Sequence, residues 1–179
     1  MHNNTSHETF LHEECIKEFI KTAKEEFNPE GVCPPQLYVM FDSGEGIYTY
    51  LTNMPLDPDA RYKRMCAFGL KLRSEYGSIR EALYIAETWT TNAKVPGFNK
   101  IRPSQHPARE ETIVIIGRNH DKSCSAVAIQ PFSRDKKGAP IWKTPTISIS
   151  REQGDLTFEG ILDALFIDES QIDLPELEA

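Results

Sequence analysis

Apolar residues recur along this chain with two periods, and the switches between them mark its elements. Over residues 6–27, Leu11, Cys15, Ile16, Phe19, Ile20, Ala23 and Phe27 return every three or four positions, which is one broad helix face. Thr5 and Glu8 have the spacing of a capping box, in which each side chain accepts a free backbone N–H at the helix start. Asn28-Pro29 ends the helix, because proline disfavours the helical conformation in the residue before it. From Gln36 to Asp42 the period becomes two, with Leu37, Val39 and Phe41 alternating with Tyr38 and Met40. Residues 43–46, SGEG, tolerate positive φ and read as a turn. Ile47–Thr52 then returns as a hairpin strand, with Tyr48 and Tyr50 on one face.

A second helix is predicted over 58–76. Asp57 is its N-cap, Pro58 takes the first helical position, where a missing N–H is harmless, and Gly77 closes it. Met65, Phe68, Leu72 and Tyr76 form its stripe, and Gly69 marks close packing. Strands follow at about 80–90, 111–118, 123–132 and 140–149, with polar turns at 118–123 and 133–139. The apolar run Thr112–Ile116 predicts a central strand. Pro131 and Pro145 cannot donate to a ladder and so predict edge or bulged strands. A short helix is expected over 157–167, with Thr157 near its cap, and the acidic residues 168–179 read as a frayed tail. The predicted order is α-β-β-α-β-β-β-β-α. Short turns imply antiparallel pairing. The expected fold is therefore α+β: one domain over 1–167, a mainly antiparallel sheet of about six strands, and helices packed on one face.

A chain of 179 residues can bury such a core without disulfides or metals. Cys15, Cys33, Cys66 and Cys124 are scattered, without a CxxC pair. No apolar run approaches the roughly 18 residues that would predict a membrane span. The first ten residues lack the pattern of a secretory signal. The expectation is a soluble, cytoplasmic protein. Its net charge of −7 is unevenly spread. Residues 1–60 carry three basic and eleven acidic side chains, and residues 61–109 carry ten basic and three acidic. That asymmetry fits an anionic ligand on the basic 61–109 region. The preferred reading is that the acidic ends attract the basic middle, within one chain or between subunits of a homo-oligomer, because charge runs are usually solvated faces.

The long connection between the third and fourth strands, about 91–109, carries most of the candidate chemistry. Connections this long are uncommon in compact domains and are usually functional or disordered. Lys94, Lys100, Arg102 and Arg109 meet no acid there before Glu110, and Trp89 precedes them, which makes these five candidate ligand-binding residues. Phe98 and Ile101 are candidate anchors onto the sheet. Glu87, His106 and Glu110 are candidate catalytic residues, since one histidine and two carboxylates suit metal binding or general acid–base work. The competing reading pairs Glu87 and Glu110 with Arg102 and Arg109 and folds the loop down. His7, Glu8 and His12 miss the four-residue histidine spacing of HExxH. His120 and Asp121 fall in a turn, where Asp bonds its own backbone.

Glu87-Thr88-Trp89 followed by Arg102–Glu110, RPSQHPARE, resembles a group of uncharacterised bacterial and phage proteins with an ExW strand and an RPSxHPxRxE segment. The resemblance implies a recurring strand–loop–strand unit and brings no activity or cofactor. Every catalytic constellation is incomplete. The chain therefore reads first as a non-enzymatic binding or interaction protein, using the 91–109 loop and its sheet edge. A metal-dependent or acid/base hydrolase built on Glu87, His106 and Glu110 is the alternative. Nucleic-acid binding through residues 61–109, with Tyr48, Tyr50, Trp89 and Phe98 stacking on bases, comes third, because the chain is acidic overall.

Overall fold

The computed structural model describes residues 9–27, 33–91, 94, 96, 100–151 and 160–167. Among the described residues, three α-helices, α1 (Glu13–Glu25), α2 (Pro58–Tyr76) and α3 (Ile161–Leu165), accompany seven strands. The strands are β1 (Gln36–Phe41), β2 (Gly46–Tyr50), β3 (Ile79–Thr90), β4 (Glu110–Asn119), β5 (Ser125–Arg134), β6 (Pro140–Trp142) and β7 (Thr146–Ser150). All pairings are antiparallel, in the order β2-β1-β3-β4-β5-β6, with β7 also on β5. The fold is a single α+β domain, as the periodicity predicts.

The helices do not share one face, contrary to the sequence expectation. Ile16, Ile20 and Ala23 of α1 pack over Leu83, Ile85, Ile113, Ile115, Ala126 and Ala128. Met65, Cys66 and Leu72 of α2, with Leu162 and Leu165 of α3, pack over Leu37, Val39, Phe41, Ile79 and Ala82 on the other side. The cause is visible in β3, whose alternate residues are apolar on both faces. Each fully buried Leu or Ile contributes about 1.5–3 kcal/mol, so leaving either face open would be costly.

Local signals set most boundaries. In α2, Asp57 Oδ1 accepts the Ala60 N–H at 2.8 Å, and Gly77 ends the helix at φ 88°. The first helix starts later than the periodicity implies. His12 caps it, its Nδ1 accepting the Cys15 N–H at 3.4 Å. Phe10 and Leu11 are buried ahead of the helix, where the buried Glu81 carboxylate accepts the Thr9 hydroxyl and the Phe10 N–H. The capping pair Thr5 and Glu8, His7, Phe98, Thr157 and the tail 168–179 lie outside the described residues.

The strand expected at 140–149 is two strands. They pair with different stretches of β5, β6 with Phe132–Arg134 and β7 with Ser125–Ile129. Pro131 sits opposite the break, where β5 has no N–H to offer and its carbonyl accepts Lys143 N–H instead, at 3.0 Å. β5 is thus an interior strand despite its proline, and the interruption falls on its neighbour.

Candidate strand-docking site

β2 is the last strand on its side of the sheet, and among the described residues nothing pairs with its outer side. Leu51 N–H bonds Pro35 O at 2.8 Å, and Phe41 N–H bonds Glu45 O at 2.9 Å. With the β1–β2 register, these bonds direct odd-numbered residues of the returning strand toward β1. The antiparallel alternation then turns the backbone N–H and C=O groups of Tyr48 and Tyr50 outward. Residues 46–52 carry no charge, although charged side chains are a usual guard on exposed edges.

The two faces of β2 differ. Tyr48 and Tyr50, 40% and 44% exposed, stand on the α1 face in a row with Tyr38. The Tyr48 hydroxyl donates to Glu26 Oε2 at 3.0 Å, and Phe19 meets Tyr38 edge-on. Partial burial raises the pKa of the Tyr48 phenol, and the Tyr50 and Glu26 hydrogen bonds add to the shift. Tyr38 is pushed up to about 12 by burial and by the Glu26 charge. Tyr38 and Tyr48 are therefore neutral near pH 7.

On the opposite face a cleft of about 340 Å³ runs between the strand and α2. Thr49, Tyr50, Leu51, Thr52 and Met54 line one side, and Arg64, Met65, Ala67, Phe68 and Lys71 the other. Arg64, Ala67, Phe68 and Lys71 have the i, i+3, i+4, i+7 spacing of one helix stripe. Arg64 Nη1 donates to Asn53 O at 2.7 Å, which sets the head of the groove. Lys71 has Glu75 at 3.9 Å, with both side chains largely exposed, a pair worth only about 0–1 kcal/mol. Leu56, on the same connection as Met54, is 92% exposed.

The residues singled out by sequence go elsewhere, and Glu87, His106 and Glu110 are not brought together. Glu87 shares a face with Trp89 and Glu111, whereas Glu110 lies across from Thr90 and projects from the other face. Glu87 accepts Arg134 Nη2 at 2.9 Å and the Cys33 N–H at 3.1 Å. Arg134 Nε also reaches Glu111 at 2.8 Å, so one guanidinium ties three strands. Glu110 pairs with Lys143 at 2.6 Å. The acids at the base of the loop thus take Arg134 and Lys143, not Arg102 and Arg109.

His106 is 3% exposed, and both ring nitrogens are engaged inside its own loop. Nδ1 accepts Ala108 N–H at 3.0 Å, and Nε2 lies 3.3 Å from Pro96 O. His106 therefore anchors the connection, while Ile101, the expected anchor, is 43% exposed. Arg109 stacks on Trp89, 4.6 Å from the ring centroid, and donates to Ser104 O at 2.7 Å. Lys94, Lys100 and Arg102 are exposed on the loop. Asp121 accepts Ser123 N–H at 3.0 Å, the turn bond expected of it.

Among the described residues no group of three or more His, Cys, Asp or Glu side chains is placed to hold a metal ion. A second cleft, of about 330 Å³, is lined by Asp42, Ser78, Ile79, Arg80, Asn119, His120 and Asp121 at the far end of the sheet. No helix among the described residues is long and apolar enough to cross a membrane. Sequence reading named Tyr48, Tyr50 and the basic 61–109 region but passed over the groove between the hairpin and α2. Its one sequence signal is the mixed basic–apolar stripe on α2, a second face beside the core stripe. No family model matches this chain, and neither curated proteins nor solved structures give a match.

Proposed function

We propose that this protein is a non-enzymatic interaction module that takes a partner's extended segment as an added strand on β2. The observation that carries this reading is the uncharged, outward-facing edge of β2 directly beside the cleft against α2. In strand addition, main-chain hydrogen bonds supply affinity, and pockets for alternate side chains supply selectivity. Both parts are present side by side. The hydrolase reading loses its support, because Glu87, His106 and Glu110 each hold a different partner.

The test is selection from a phage-displayed library of random peptides on the immobilised protein. Selected peptides are then remade with N-methyl groups on alternate amides, and binding is repeated with Tyr50→Pro, which removes an outward N–H. The expected outcome is a loss of at least about tenfold with one N-methyl register and with Tyr50→Pro. Lys100→Ala and Arg102→Ala, on the 91–109 loop, should bind as the parent does. Absence of binders, or binders indifferent to N-methylation in both registers, overturns the reading.

A further inference from the structure

The groove beside β2 has a chemical order that bears on what enters it. Its helix wall runs from Arg64 through Ala67 and Phe68 to Lys71, with a cation at each end and apolar side chains between. Met65 lies on the same helix wall, the facing wall adds Leu51 and Met54, and no carboxylate lines the groove. Seven residues of helix cover about 10 Å along the axis. In an extended strand, side chains at i, i+2 and i+4 share a face and span about 13 Å. The long stem of Lys71 reaches across the difference, because such a side chain keeps a mobile head on an apolar stem, while Arg64 is held at its end by Asn53 O.

Resting on the strand-addition reading, we infer that this groove selects an extended acidic segment in which an apolar side chain is flanked, two residues before and two after, by carboxylates. The apolar residue enters between Phe68 and Leu51. The first carboxylate meets one cation and the second meets the other, in whichever direction the strand runs. Backbone pairing with Tyr48 and Tyr50 fixes the depth.

A second copy of the chain fits the edge poorly. β2 brings no carboxylate of its own. Two-fold pairing through β2 would also bring two α2 helices, each bearing Arg61, Lys63, Arg64 and Lys71, onto the same face of one continuous sheet. Like charges so placed oppose association. An acidic segment instead brings opposite charge to Arg64 and Lys71.

The inference is tested by fluorescence anisotropy with three labelled peptides, Thr-Glu-Thr-Val-Thr-Glu-Thr and its versions with Gln or Lys in place of both Glu. The acidic peptide is expected to bind roughly fivefold or more tightly than the Gln peptide, the scale of two exposed ion pairs, and the Lys peptide to bind weakest. The advantage should shrink as salt rises from about 50 to about 500 mM. Lys71→Glu should abolish the preference, and Lys71→Gln should halve it on a logarithmic scale. Equal binding of the acidic and Gln peptides overturns the charge selection while leaving strand addition standing. If none of the three binds and the library also gives nothing, both fall. A concentration-dependent dimer that Tyr50→Pro dissociates would instead make a second copy the occupant.

Discussion

At Cys33, burial and two carboxylates act in one direction. The thiol is 1% exposed, and burial, then Glu87, then Glu26 push its pKa up to about 12. Only a thiolate is an effective nucleophile, so this cysteine is inert in the folded protein. Iodoacetamide at about pH 8 should leave Cys33 unmodified in the native state and label it after unfolding. Equal labelling rates in the two states would refute this account. The shift also sets a pH dependence. The folded state holds the thiol proton more tightly than the unfolded chain, whose thiol titrates near 8.5. The contribution is therefore complete below about pH 8.5 and declines as pH rises toward 12. Tyr38, also raised to about 12, adds to the same alkaline loss. Cys33→Ala should flatten part of that decline in urea titrations across pH 8–11. None of this is legible from the position of Cys33 in the sequence, because its neighbours come from Glu26 and from β3.

Between elements, α2 and α3 meet where a side chain is absent. A Cβ on Gly69 would lie 2.5 Å from Leu165 O and 2.9 Å from Leu165 Cα. The Arg73 guanidinium bonds the carbonyls of Leu165 and Ile167, and Arg118 pairs with Asp163. Helix propensity alone favours Ala over Gly by about 1 kcal/mol. Backbone atoms of α3 cannot yield as a flexible side chain would, so overpacking costing about 1–3 kcal/mol should prevail. Gly69→Ala is expected to lower the urea midpoint. An unchanged or raised midpoint would mean that α3 is not held against α2 in this way. The position of Gly69 as a packing glycine is readable from the sequence, but its partner is not. The α2 boundaries are equally readable, since Asp57, Pro58 and Gly77 act within one turn of their own backbone. The split of β6 from β7 needs β5 beside them before Pro131 has an effect.

For the whole molecule, one sheet separates two cores, and both share β3. Removing apolar bulk from either side should therefore weaken the same folded unit. Ile16→Ala on the α1 face and Leu72→Ala on the α2 face should each cost about 2–5 kcal/mol. In both variants, tryptophan fluorescence, reporting Trp89 and Trp142, should report the same transition as far-ultraviolet circular dichroism. Separate transitions would show that the two faces unfold independently. The sheet also holds α1 and α2 on opposite faces, and of the α2 cations Arg64 and Lys71 line the groove beside β2.

The α+β class, the two long helices, the antiparallel hairpin and most strand limits are legible along the chain, because periodicity, caps and turn residues act over a few positions. Which helix covers which face, the burial of His106 and the separate partners of Glu87 and Glu110 emerge once the strands are paired. Those depend on register: a shift of one residue exchanges the faces of a strand. The docking groove belongs to the same class. Its two walls are read from separate stretches of sequence, and only the sheet order leaves the outer side of β2 unpaired beside α2 among the described residues.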